Sequence, residues 1–311
     1  MRLHQNKDDF KTLVSLAADH YGVQDYQVEK DYFVSVLLKE LSEGSDVQLV
    51  FKGGTSLSKC YKVINRFSED IDLALMTSES EVSIRDRRNM KDFILSKISN
   101  IKMEVMNRDE IRTRRDFNSY KIKFEKFFDY DADVFSHIVI ETIVVYRPYP
   151  TTTVYVNNFI TNYLIEMDRS DIIDRFDLQP FKMLTQSIDR TFIDKLFAIC
   201  DYHIHGKYER YSRHLYDLHM IWKSSLLNPD TLNEIMFDVI CDRQRYDVRN
   251  PSCKKGSCPN RMLKEIIDKG VYRNDYLNVT ERLIYKSVSY EQCVNSLLEI
   301  INSGIIPDLI A

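Results

Sequence analysis

The sequence predicts an α/β (α+β) protein whose first half is built on a mixed sheet and whose second half is all helix. Three observations carry that prediction. A nearly continuous β-branched run, Ile138-Val139-Ile140-Glu141-Thr142-Ile143-Val144-Val145, reads as a central strand. Ile71, Leu73 and Leu75 alternate with Asp70, Asp72 and Ala74, as a half-buried strand requires. From about residue 157 onward the apolar spacing turns helical.

In chain order, residues 6–20 and 26–42 are expected to form amphipathic helices. In the second, Tyr32, Val34, Leu37 and Leu38 recur at helical spacing and Glu29-Lys30-Asp31 supplies the polar side. Val47, Leu49, Val50 and Phe51 form a short strand that runs into Gly53-Gly54. A short helix over 55–64 and a longer one over 85–99 follow, with strands at 101–106, 119–125 and 137–145. Past Tyr146-Arg147-Pro148-Tyr149-Pro150 the texture changes, and helices are expected at 157–166, 189–204, 209–223, 229–241, 259–269, 275–286 and 289–302. No internal repeat is visible. The predicted division is 1–160 and 161–311.

Composition excludes several classes. The 311 residues suit one large domain or two lobes. With 43 Lys and Arg against 47 Asp and Glu, the net charge of −4 rules out a wholly basic nucleic-acid coat. Only 8 Gly and 7 Pro are present, which excludes collagen-like and low-complexity chains and leaves little room for a Gly-rich dinucleotide loop. In so frugal a chain, the adjacent Gly53 and Gly54 mark a place where a side chain would be in the way. The six cysteines lack CxxC spacing, the start is polar, and no apolar run approaches the roughly 20 residues of a membrane span. A protein of the reducing cytoplasm, with no membrane partner, is expected.

The chemistry is concentrated between residues 51 and 75. Phe51-Lys52-Gly53-Gly54-Thr55-Ser56-Leu57 is followed by Arg66-Phe67-Ser68-Glu69-Asp70-Ile71-Asp72-Leu73. The glycine pair lets backbone N–H groups approach a polyphosphate, and the following helix start adds partial positive charge. Thr55 and Ser56 offer hydroxyls to phosphate oxygens. Asp70 and Asp72 leave one face of a strand with Cα atoms roughly 7 Å apart, and their carboxylates can converge on Mg²⁺. Two such ions about 3.5–4 Å apart would clamp the attacking and leaving oxygens of an in-line displacement. Glu141, the lone charge within the β-branched run, is the candidate third carboxylate, because a charge there is costly unless paired or metal-bound.

Other groups carry more than one reading. Lys195 opens an apolar helix, where it serves either as an anion's partner or as a surface lysine with a buried stem. Asp217 lies four residues after Arg213, the spacing of an ordinary helical ion pair. Residues 85–126 hold thirteen Lys and Arg against seven acids, with Phe117, Tyr120, Phe124, Phe127 and Phe128 interleaved. That pattern suggests a surface for a polyanion such as RNA, or a solvated face over core aromatics. His203, His205, His214 and His219 lack the partners of a zinc site, and Cys253 and Cys258 read as flanking a loop.

The Gly-Gly-Thr-Ser-Leu turn followed by Arg-Phe-Ser-Glu-Asp-Ile-Asp-Leu resembles the core of DNA polymerase β-type nucleotidyltransferases. More narrowly it is similar to the AbiEii/AbiGii toxin family, which includes the MenT toxins. Val28-Glu29-Lys30-Asp31-Tyr32 resembles the family's first helix. Asp194-Lys195-Leu196-Phe197-Ala198 with Arg213-His214-Leu215-Tyr216-Asp217-Leu218 resembles its helical-lobe signature. The resemblance spans about residues 28–220. The 15 residues between Gly54 and Asp70 exceed the superfamily's usual spacing and suit the toxin branch.

The resemblance implies an N-terminal nucleotidyltransferase lobe with a mixed central sheet flanked by helices, then a helical lobe. It places Gly53, Gly54, Thr55, Ser56, Arg66 and Ser68 at the nucleotide, Asp70, Asp72 and Glu141 on metal, Lys195 on the triphosphate, and Asp217 as an essential acid. The implied reaction is transfer of a nucleoside monophosphate from an NTP to RNA. The implied acceptor is the 3′ end of tRNA, with Mg²⁺ as cofactor, Mn²⁺ as a substitute and a separately encoded antitoxin as partner. The alternatives are nucleotidyl or phosphoryl transfer to a protein hydroxyl, and an inactive nucleotide-binding regulatory module.

Overall fold

The computed structural model describes residues 1–44, 47–68, 70–77, 82–129 and 136–311, which fall into two compact units. The first comprises Met1–Tyr61 and Ser68–Thr185; the second comprises Lys62–Phe67 and Gln186–Ala311. Glu69, part of the motif quoted above, lies outside the described residues.

In the first unit, α1 (Lys7–Tyr21) starts at Asn6, whose side chain accepts from the Asp9 N–H, and ends at left-handed Gly22. It is followed by α2 (Asp25–Ser42), β1 (Leu49–Lys52), α3 (Gly53–Lys59) and β2 (Ile71–Leu75). Next come α4 (Ile84–Asn100), β3 (Glu104–Val105), β4 (Phe117–Lys123) and β5 (His137–Ile143). The unit closes with β6 (Thr151–Val156), α5 (Phe159–Glu166), α6 (Ser170–Arg175) and β7 (Phe181–Gln186). The seven strands form one mixed sheet in the order β3-β4-β5-β2-β1-β7-β6. β1 and β2 are antiparallel, as are β4 and β5, whereas β2 runs parallel to β5 and β1 to β7.

Alternation gives the sheet two unlike faces. Leu49, Phe51, Ile71, Leu73, Tyr120, Ile122, Ile138 and Ile140 join one buried cluster with Val28, Phe33 and Leu37 of α2 and Met90, Ile94 and Ile98 of α4. On the other face, register brings Ser119, Glu141, Asp72 and Lys52 into one row across β4, β5, β2 and β1. All four are only partly buried.

The second unit is built from α7 (Ile188–Ile204), α8 (Arg213–Lys223), α9 (Pro229–Gln244), α10 (Pro259–Lys269), the single turn α11 (Arg273–Asp275) and α12 (Tyr290–Asn302). Lys62–Phe67 belongs here because Arg66 bridges Ile284, the Phe67 N–H donates to the Leu283 carbonyl, and the Asn65 N–H donates to the Tyr216 hydroxyl. No helix among the described residues is long and apolar enough to cross a membrane.

Three expectations are corrected. The helical texture expected from 157 is interrupted by β7, which returns to pair Phe51 with Thr185, and β6 and α6 were not anticipated. The expected boundary at 160 therefore lies inside the first unit, which extends to Thr185 because these elements complete its sheet. The helix expected over 275–286 is instead a short run: α11, a π-turn over Tyr276–Thr280 and a 3₁₀ turn over Glu281–Leu283. Val279 and Thr280 are β-branched and weaken helix propagation there.

Candidate active site

The first unit's polar row is assembled at the β1–α3 turn. β1 ends at Lys52, and α3 begins at the glycine pair itself, not after it. Gly53 sits at φ +77°, where side chains are strained, and a Cβ on it would fall 1.8 Å from Asp72 Oδ2. The sequence demanded a bare backbone here, and the structure shows the reason: the Asp72 carboxylate lies against Gly53. The opening N–H groups of α3, from Gly53 onward, have no acceptor within the helix.

Thr55 and Ser56 do something other than expected. Both are buried; Thr55 Oγ1 donates to the Asp70 carbonyl at 2.6 Å and lies 3.0 Å from Ser68 Oγ, while Ser56 Oγ donates to the Gly53 carbonyl at 2.9 Å. Their hydroxyls are spent on the turn's shape and not directed at a phosphate. Thr55 thereby ties the backbone of Asp70 to α3.

Asp72 and Glu141 are direct register partners on parallel strands, and Asp70 precedes β2 by one residue. β5 is the third strand of seven, so Glu141 stands on a central strand, on its partly exposed face. Among the described residues no three His, Cys, Asp or Glu side chains close into a ready metal cage. Paired hard oxygen donors nevertheless suit Mg²⁺, which is commonly held by one or two carboxylates, with water and substrate phosphate completing its shell. The residues present fit that ion.

The second unit contains Arg66, Lys195 and Asp217. Asp217, 0% exposed on α8, accepts from Arg66 Nε at 2.7 Å, from Arg66 Nη2 at 2.8 Å and from Lys195 Nζ at 2.6 Å. Burial alone would raise this carboxyl's pKa, but the Arg66 guanidinium and then the Lys195 ammonium outweigh it and hold the group well below the carboxylate range. Lys195 is buried on α7 rather than snorkelling, and Asp217's partners are these two cations rather than the helical ion pair with Arg213 that its spacing suggested. Arg66, expected at the nucleotide, is committed to Asp217 through a bidentate fork.

Sequence reasoning missed two participants. Lys52 enters the row opposite Asp72, and alternation along β1 was a usable signal once the partner strand was known. Lys59 is buried against Asp31 and Ser35, fixing α3 to α2; nothing in the local sequence of α3, Gly-Gly-Thr-Ser-Leu-Ser-Lys, marked it. Of the histidines, His219 Nδ1 meets Ser296 Oγ at 2.8 Å and His203 Nδ1 lies 3.2 Å from the Tyr208 hydroxyl.

No curated protein matches the chain in sequence. Among solved structures, the nucleotidyltransferase toxin MenT4 from Mycobacterium tuberculosis H37Rv is similar over 93% of this chain and 88% of that one, at 13% identity and a TM-score of 0.47. The family model described as "Nucleotidyl transferase AbiEii toxin, Type IV TA system" matches residues 36–295. With that match running from within α2 into α12 and taking in the glycine turn, the paired carboxylates and the Asp217 cluster, the chain belongs to the AbiEii nucleotidyltransferase toxin family.

Proposed function

We propose that this enzyme transfers a nucleoside monophosphate from an NTP to the 3′ end of tRNA, and that the transfer blocks aminoacylation and so translation. The observation that carries the reading is the row of Lys52, Asp72 and Glu141 beside a turn whose glycine leaves room for the Asp72 carboxylate. In this reading the N–H groups that open α3 take phosphate oxygens of the NTP. Asp72 and Glu141, with Asp70, would hold Mg²⁺ or a substituting Mn²⁺. The ion supplies Lewis-acid stabilisation of the transferring phosphoryl group and a lowered pKa for the attacking hydroxyl. That hydroxyl oxygen bonds to the α-phosphorus as the bond to the β-phosphate breaks; its proton leaves to water and pyrophosphate departs. Lys52 contributes positive charge where negative charge builds. In the second unit Asp217 orients the Lys195 ammonium. A separately encoded antitoxin is the protein partner, and the cytoplasm the place of action.

The test is incubation with Mg²⁺, total tRNA and each NTP labelled at the α or the γ phosphate. Label from the α position on tRNA, lost in Asp70→Asn and Asp72→Asn, is the expected result. γ-Label would make the protein a kinase, label on protein alone would replace the acceptor, and no label on either would leave a nucleotide-binding regulatory module.

A further inference from the structure

The carboxylate pair has two flanks. On one, across β1, stands the glycine turn; on the other stands β4, which the proposed reaction has not yet used. Register fixes what β4 presents there. Ser119 lies opposite Glu141, so Phe117 and Lys121 occupy the same face one pair to either side, roughly 7 Å along the strand, and Lys123 follows. Tyr120 and Ile122 point into the core between them.

The structure separates the five aromatics of this basic region. Tyr120 and Phe124 are buried, and Phe127 and Phe128 pack against the core. Phe117 is 43% exposed, a large apolar ring held at the surface beside the carboxylates. Exposing it forfeits burial energy that its four neighbours collect.

The cations around it are exposed as well. Lys121, Lys123, Arg112 and Arg114 are exposed, and among the described residues none of their side chains enters an ion pair. The β3–β4 connection that carries the arginines is braced by two asparagines. Asn118 accepts from the Arg112 N–H at 2.8 Å and donates to the Arg112 carbonyl at 3.0 Å. Asn107 donates to the Ser119 carbonyl at 2.9 Å and accepts from the Lys121 N–H at 2.9 Å. These bonds fix the backbone under the charges before any partner arrives, which lowers the ordering cost of binding.

We propose that β4 and this braced hairpin form the track for a single-stranded polynucleotide, with Phe117 stacking on one of its bases. The inference rests on the nucleotidyltransfer reading and adds to it where the acceptor lies. An exposed ring flanked by cations on one strand face matches a chain that alternates flat bases with phosphates. An acidic peptide offers charge but no base to stack. An anionic membrane would require a cluster of apolar side chains to insert, whereas only Phe117 and Met106 are exposed among the large apolar side chains of the hairpin. A base inside a duplex is stacked on its neighbours and offers no free face to Phe117, so the segment that meets this ring is unpaired.

The test is fluorescence anisotropy of a fluorescein-labelled single-stranded RNA, without NTP, against the full-length protein. Phe117→Ala should weaken binding about tenfold. Lys121→Gln and Arg112→Gln should each lower the slope of log affinity against log salt by about 0.7. All three positions are exposed, so folding is preserved, with thermal unfolding as the check. Asp70→Asn should bind RNA normally while losing transfer. RNA binding indifferent to Phe117→Ala and Lys121→Gln would overturn the track while leaving the catalytic reading intact. Preferential binding of polyglutamate or phosphatidylserine vesicles at the same residues would also overturn it. Normal transfer by Asp70→Asn would instead sink the catalytic reading, whatever the RNA binding shows.

Discussion

Glu29 of the first unit and Asp217 of the second are both carboxylates with 0% of their surface exposed, yet their pKa values are pushed in opposite directions. Asp217 receives three hydrogen bonds from two cations, and its pKa falls. Glu29 sits on α2 with Oε1 accepting the Phe127 N–H at 2.6 Å and Oε2 buried with no hydrogen-bond partner among the described residues. Burial pushes its pKa up to about 7, against the weaker pull of the Phe127 and Phe128 N–H groups and of Lys126 and Lys11. Burial is common to both, so the partners decide the charge. The register partners Asp72 and Glu141 are a third case, carboxylates that are only partly buried.

The sharpest way to break this comparison is Asp217→Asn. It leaves two buried cations facing a neutral amide, and a loss of about 3–5 kcal/mol is expected from urea unfolding. The sign in pH follows from the depressed native pKa: Asp217's contribution is present above the unfolded value near 4 and is lost as pH falls toward the native one. A variant as stable as the parent would show that the cluster is not what holds α7, α8 and Arg66 together.

Glu29 predicts the opposite slope and a smaller effect. Its native pKa is raised, so its contribution is complete below pH 4.5 and is lost as pH rises through about 7. Stability should drop by on the order of 2 kcal/mol across that window, and Glu29→Gln should flatten the profile. Equal slopes in parent and variant would mean that Glu29 is charged throughout.

The smallest effect on stability tests the third case. Gly53→Ala must push the Asp72 carboxylate aside and adopt a strained φ, at about 1–2 kcal/mol. Its effect on nucleotide transfer should far exceed that, because it displaces a proposed metal ligand. A variant with unchanged turnover would detach Asp72 from the chemistry.

Much of this was legible locally. The helices were legible from their apolar spacing, and in the structure Asn6, Ser83 and Ser187 each accept a backbone N–H at a helix start. The sequence singled out Glu141 as the lone charge of a near-continuous apolar run, and the burial pattern of β5 puts it on the partly exposed face with Ile140 in the core. β6 and β7 escaped because Thr151–Val156 follows a Pro-rich stretch and Phe-Lys-Met-Leu-Thr-Gln has no clean alternation, so only pairing defines them.

What the sequence determined by itself was what neighbours along the chain can impose: periodicity and the need for glycine at position 53. What only the tertiary structure decided was which distant groups meet. Asp217 takes Arg66, 151 residues away, over Arg213 on its own helix, and Glu141 stands opposite Asp72 because β5 aligns with β2 in that register. Helical and pleated repeats are set by backbone sterics within a few residues. Register and ion-pair partners are set by packing the whole core, where a one-residue slip would bury Glu141 and expose Ile140.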